Sequence, residues 1–259
     1  MAVSTSKEPA RIAGMFDAIA ARYDLLNHLL SAGIDRRWRA LAIRSLGLTG
    51  RETLLDVCTG TADIALQARR RESSRRRSAL AWLAGARSAE AAGPHAARVI
   101  GVDFAGAMLA FGRRKVREAG EDHGITLVRG DATNLPVRDG SVDAVTIAFG
   151  IRNVERPERA CAEMARALRP GGRLAILEFG VPRLPGVSTL YLWYFKYLLP
   201  RVGRLVSGHT AAYSYLPASV GTFPPPAAFM TILEQAGFSS VRADSLTLGI
   251  VYLYTAIKR

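Results

Sequence analysis

Cysteine is nearly absent from this 259-residue chain. Only Cys58 and Cys161 occur, in no spacing that a metal site uses. Neither a disulfide framework nor a bound metal is expected, and such cysteine usage points to a reducing compartment. Long uncharged apolar runs are missing as well, so no segment is expected to span a bilayer. Charges interrupt the first apolar residues, so no N-terminal signal peptide is expected. Acids are scarce: 22 Asp and Glu face 35 Lys and Arg, a net charge of +13. That balance favours an anionic partner, either nucleic acid or an anionic membrane surface. Much of the surplus is arginine in one segment, which says little about an active site. Also missing are the GxGxxG fingerprint and the Walker lysine, which argues against a phosphate cradle. What remains is an ordinary globular composition, 49% hydrophobic, long enough to bury a core as a single domain over residues 1–259.

The informative stretch is TLLDVCTGTAD at residues 53–63. An apolar run broken only by Asp56 reads as a short buried strand. It turns through Thr59, Gly60 and Thr61 into a helical pattern, the front of a βαβ unit. Asp56 is expected to face the crevice at the strand's carboxyl end, where open α/β sheets bind ligands. Gly60 permits close approach of a ligand to the backbone, and the helix start suits an anionic group. An acid before a single glycine fits S-adenosylmethionine, which carries a carboxylate and an ammonium but no phosphate. Any Rossmann-like first turn fits equally well.

Upstream, Ile12, Phe16, Ile19, Tyr23, Leu26 and Leu30 recur at helical spacing. Gly33 interrupts the pattern, and Asp35 is placed to cap a second helix. Residues 10–47 therefore read as two helices that either close over a ligand or pad the sheet. Residues 69–98 are rich in arginine and read as an insertion: a basic patch, or a solvated loop. VIGVD, at residues 99–103, is a second strand ending in Asp103, where an acid accepts hydrogen bonds from ribose hydroxyls. Residues 125–129 form strand three. Asp131 follows, as an adenine contact or as a plain turn residue. Residues 141–148 form strand four and end at Ala148, with Phe149–Asn153 in the crevice position. A helix leads to the LRPGG turn and strand five, and two short-linked strands near the C-terminus must be antiparallel. The fold class is α/β: a Rossmann-like, mostly parallel seven-stranded sheet with one antiparallel strand, N-terminal helices and a helical segment on the substrate side.

These features resemble a class I S-adenosylmethionine-dependent methyltransferase. Three stretches narrow the resemblance: residues 16–27, FGIRNV at 149–154, and YSYLPASVGTFP at 213–224. Together they resemble the quinone-ring C-methyltransferases of menaquinone and ubiquinone synthesis. The CTGTAD turn is more similar to the menaquinone-side members, the demethylmenaquinone methyltransferases. The resemblance implies S-adenosylmethionine as co-substrate, with Thr61, Asp103, Asp131, Ala132 and Ala148 at its site, beside Asp56 and Gly60. Asp131 stands where some members carry Asn, and Ala148 where some carry Ser, which removes a hydroxyl contact. Arg152 and Asn153 are the candidates for binding the quinol oxygen or a bridging water. Tyr23 and Asp24 could line the lid, and Tyr213 and Tyr215 could shape the acceptor pocket.

The implied substrate is a polyprenyl naphthoquinol, a phenol-like nucleophile whose hydroxyl pKa should resemble tyrosine's, about 10. His209 is a general base by chemistry alone, though a histidine beside Gly208 is more often a loop residue. Arg152 has its own structural alternative, an ion pair to Glu155 or Glu178. Aromatic and basic residues mix at positions 191–201, inside a substrate-facing segment at residues 184–224. That mixture suits peripheral contact with an anionic membrane, or equally a packed helix or homodimer contact. The expected location is the cytoplasm, at the inner face of the cell membrane. A benzoquinol acceptor is the neighbouring alternative. A nucleic-acid methyltransferase is a rival on charge, but strand four lacks the Asn/Asp-Pro-Pro-aromatic motif that holds a flipped base, so no nucleic acid is expected.

Overall fold

The computed structural model describes residues 7–20, 24, 31, 33–69, 98–182, 186, 215 and 218–259. Seven strands form one sheet in the order β3-β2-β1-β4-β5-β7-β6. They are β1 (Thr53–Val57), β2 (Arg98–Asp103), β3 (Ile125–Arg129), β4 (Val142–Ala148), β5 (Leu168–Phe179), β6 (Phe238–Leu246) and β7 (Val251–Lys258). The first five run parallel, whereas β7 lies antiparallel between β5 and β6. This is the architecture the strand pattern implied.

The core follows from the two-residue period of the strands. Leu54 packs on one face with Trp38, Ile43 and Leu177. Leu55 and Val57 pack on the other with Met164, Phe229 and Tyr254. Helices cover both faces: α1 (Pro9–Ile19), α2 (Asp35–Ser45), α3 (Gly106–Glu118), α4 (Pro157–Ala167) and α5 (Pro226–Gln235). A further helix opens at Asp63. In α4, Pro157 occupies the first turn, where no N–H is needed. Ala160, Cys161, Met164 and Ala165 then present one buried face to the sheet.

Several boundaries depart from the sequence pattern. The LRPGG run is no simple turn between α4 and β5, because Leu168 already pairs with Val142. Pairing resumes at Arg173 opposite Ala144, so residues 169–172 loop outward as an irregularity within the strand, with Gly171 at φ 74°. Asp35 does not cap α2: Ile34 holds that position without a side-chain bond. Instead, the Asp35 carboxylate accepts from Ser31 Oγ at 2.7 Å and from Arg39 at 2.7 Å. The N-terminal helix ends at Ile19 rather than running to Leu30. Asp24 is again helical, while residues 21–23 and 25–30 lie outside the described residues. The arginine-rich stretch at 70–97 and most of 184–217 also lie outside them, including Tyr213, His209 and the aromatic-basic cluster.

Candidate active site

The parallel strands end along one edge, and the turns beyond β1, β2, β3 and β4 converge there. Asp56 builds the first turn from below. Its side chain is 1% exposed; one oxygen accepts from Thr59 Oγ1 at 2.6 Å and the other from Thr146 Oγ1 at 3.0 Å. Burial pushes its carboxyl up to about 7, against the two hydroxyl bonds that favour the charged form. Asp56 therefore does not face the main crevice, contrary to the expectation from its strand-end position. It fixes the loop that does. Gly101 on β2 lets that loop come close: a Cβ there would meet Leu127 Cδ2 at 2.6 Å and Thr59 Oγ1 at 2.8 Å. Thr59 N also donates to Val102 O at 3.0 Å.

Asp103 joins two turns. One oxygen accepts from Gly60 N at 2.8 Å and the other from Ala105 N at 2.9 Å. Burial raises its pKa, and these backbone donors oppose the rise. Asp103, Gly60, Asp131, Ala132 and Ala148 all line one cavity. Asp131 also fixes its own turn by accepting from Thr133 N at 2.8 Å. Non-glycine residues in left-handed backbone cluster along this edge: Cys58 at φ 53°, Ala62 at 66° and Phe149 at 59°. Each such conformation costs on the order of 1 kcal/mol or more. Packing holds the last of them, since Phe149 stacks on Phe179 at 4.6 Å and on Trp38 at 6.1 Å. Burial raises the Cys58 thiol well above its ordinary value, so this cavity residue is no ready nucleophile.

Thr61 has a different place from Asp103. It lines a small annex shared with Asp56, Thr59 and Arg39 rather than the main cavity. Its hydroxyl donates to Asp24 at 2.5 Å and accepts from Lys115 Nζ at 3.2 Å. Lys115 also pairs with Asp24 at 2.6 Å and with Asp63 at 2.5 Å, and Asp63 continues to Arg39 at 3.0 Å. This network ties the N-terminal segment to the β1 turn. A second tie is Asp17 on α1, whose carboxylate accepts from Ala107 N at 2.8 Å. It satisfies an otherwise orphaned donor in the first turn of α3 and sits at the positive end of that helix. Phe16 beside it packs near Met108 and lines the cavity. The N-terminal helix thus closes one side of the cavity.

Past β4 the pattern changes. Arg152 is 6% exposed and does not line the cavity. Its guanidinium donates to Glu178 at 2.8 Å, to Phe149 O and to Ser219 Oγ at 3.3 Å, with Phe179 beneath at 5.3 Å. Glu178 is fully buried and also accepts from Arg152 N and Phe179 N. The ion-pair alternative for Arg152 is therefore what the structure holds, with Glu178 as the partner. Asn153 does line the cavity. Its Oδ1 is buried without a hydrogen-bond partner among the described residues, as is the Tyr215 hydroxyl. Tyr23 lies outside the described residues.

Sequence reasoning singled out neither Lys115 nor Thr146. A cation on a helix and a threonine within a strand carry no local signal, because their partners come from distant positions.

The residues fit S-adenosylmethionine. The β2 acid, the glycine turn and the β3 turn supply polar groups along one side of a largely apolar pocket, and each is anchored independently of a ligand. The model of the ubiE/COQ5 methyltransferase family matches residues 3–258. The chain belongs to this family. A relative from Geobacter sp. (strain M21), named "Ubiquinone/menaquinone biosynthesis C-methyltransferase UbiE", is 41% identical over 98% of both chains. The "Demethylmenaquinone methyltransferase" of Thermus thermophilus is 42% identical over 93% of this chain and 98% of that one. Among solved structures, a SAM-dependent methyltransferase from Aquifex aeolicus superposes with a TM-score of 0.54. The match covers 85% of this chain and 89% of that one at 18% identity, a likeness of fold alone. The chain thus has the class I methyltransferase sheet, and it is a methyltransferase.

Proposed function

We propose that the protein methylates a ring carbon of demethylmenaquinol, giving menaquinol, with S-adenosylmethionine as methyl donor. One observation carries this reading: a single cavity runs from the anchored acid Asp103 to Asn153, whose buried Oδ1 has no partner among the described residues. Full-length similarity to relatives named for this reaction supports the choice of acceptor. The bound co-substrate supplies an electrophilic methyl on a sulfonium.

The protein's part is to bind, align and exclude water. Asp103 accepts from the ribose hydroxyls, and Asp131 with Ala132 flanks the adenine. Asn153 Oδ1 accepts from the quinol hydroxyl or from a bridging water. Loss of the hydroxyl proton pushes electron density onto the neighbouring ring carbon. A carbon–carbon bond then forms as the sulfur–methyl bond breaks, with its electron pair remaining on sulfur. Loss of the ring proton to water restores aromaticity, and the oxygen takes up a proton to give the methylated quinol, so that one proton is released overall. Arg152, held by Glu178, shapes the wall behind Asn153. The prenyl tail remains in the bilayer, so the enzyme meets it by peripheral contact at the inner membrane face. No described helix is long and apolar enough to cross a membrane.

The test is transfer of label from S-adenosylmethionine to a short-tailed demethylmenaquinol under reducing conditions, with a benzoquinol precursor and total RNA alongside. Label on the naphthoquinol ring is expected. Label on the benzoquinol alone would move the protein to ubiquinone synthesis, and label on RNA alone would overturn the quinone reading. Flotation with anionic vesicles at low salt tests the membrane contact, and absence of binding counts against it.

A further inference from the structure

Lys7, just ahead of α1, also lines the cavity. It is half-buried and makes no hydrogen bond or ion pair among the described residues, unlike Lys115, Arg39 and Arg152. The same lining contains Asn153, Val154, Glu155 and Arg156, all beyond β4. The charges that act on it come from the same end: Glu178 and Glu158 favour its ammonium, and Arg152 opposes it. Asp103 ends β2, and β1 lies between β2 and β4. With about 4.8 Å between neighbouring strands, Lys7 belongs to the half of the cavity removed from the ribose acid.

An ammonium held out of water without a partner is costly. Here burial lowers the lysine's pKa more than the two glutamates raise it. An anion bound in the cavity would supply the missing partner. The methionine carboxylate of the co-substrate is one anion, but the β1 turn and its helix N-terminus are already built for it. The acceptor becomes anionic during the reaction, at its phenolic oxygen.

We infer that Lys7 donates a hydrogen bond to the ionised hydroxyl of the acceptor, beside Asn153, and so promotes ionisation of the quinol in the closed cavity. The inference rests on the quinol reading above. Lys7 transfers no proton; it stabilises the oxyanion while the ring carbon attacks. It also gives α1 a chemical role, since the docking of α1 beside the cavity holds the cation at the site.

The experiment compares wild type, Lys7→Met and Lys7→Arg with short-tailed demethylmenaquinol across pH, and measures S-adenosylhomocysteine binding by calorimetry. Thermal melts check that the variants fold. Lys7→Met should lower kcat/KM for the quinol about 10- to 100-fold, the range of a charge-assisted hydrogen bond. It should also move the rise of kcat/KM to higher pH, because the hydroxyl then ionises less readily. S-adenosylhomocysteine affinity should stay within about twofold, and Lys7→Arg should restore most of the rate. An unchanged quinol kcat/KM in Lys7→Met, or an equal loss of S-adenosylhomocysteine affinity, overturns the role of Lys7. A wild type that transfers nothing to the quinol overturns the acceptor reading and this inference with it.

Discussion

The two halves of the cavity are built differently. On the proposed co-substrate side, in the turns that frame the cavity and its annex, polar groups are paired with one another. Asp56 holds Thr59 and Thr146, and Asp103 holds the Gly60 and Ala105 amides. Thr61 is held between Asp24 and Lys115. At the proposed acceptor side, Asn153 Oδ1 and the Lys7 ammonium have no partner among the described residues. A ligand with fixed geometry is met by a preorganised frame. On the proposed reading, a phenol that must change charge meets groups left without partners. Preorganisation favours affinity in the first half, and unsatisfied polar groups favour discrimination in the second.

The largest break in this contrast should come from Glu178→Gln. The substitution leaves Arg152 buried with no counter-charge, in place of the 2.8 Å pair. Loss of one partner of a buried pair costs about 3 to 5 kcal/mol. Denaturant titration should show a loss of that order, and a double variant with Arg152→Met should recover part of it.

Asp103→Ala should strike the other half. It removes the acceptor for the ribose hydroxyls and releases two backbone amides, so S-adenosylhomocysteine affinity should fall by about 2 to 3 kcal/mol, roughly 30- to 150-fold. Calorimetry reads the fall directly. The KM for the quinol, measured at saturating co-substrate, should change little.

The smallest effect near neutral pH should come from Asp56→Asn, and it depends on pH. The folded pKa of Asp56 is raised from 3.8 to about 7, so the folded state binds the proton more tightly than the unfolded state. Wild-type stability from this group is therefore greatest below about pH 4, falls as pH rises toward 7, and is flat above it. Urea midpoints for Asp56→Asn should lack that decline. The difference between the two proteins should narrow by a few kcal/mol at most between those limits.

The contrast also explains what the sequence could and could not disclose. Strand-end positions are local, so VIGVD placed Asp103 at the cavity and the glycine turn placed Gly60 there. Pairing across the fold is not local. Thr61 was read toward the ligand, but its partners lie 37 and 54 positions away. Arg152 was read the same way, and its partner Glu178 is 26 positions on, sealed inside β5. Asp56 looked like a crevice acid because a strand end leads there, but Thr146 on the neighbouring strand closes it off. An acid or arginine near a site looks the same in sequence whether it touches the ligand or holds the wall. Lys7 lay in a stretch with no pattern, and only the docking of α1 brings it to the cavity.

The most direct measurement of the central claim is Asn153→Ala, with kcat/KM for short-tailed demethylmenaquinol and S-adenosylhomocysteine affinity measured on the same preparation. The two-halved cavity predicts that the first falls about 10- to 100-fold while the second stays within about twofold. A parallel fall in both, or a fall in co-substrate affinity alone, would contradict it.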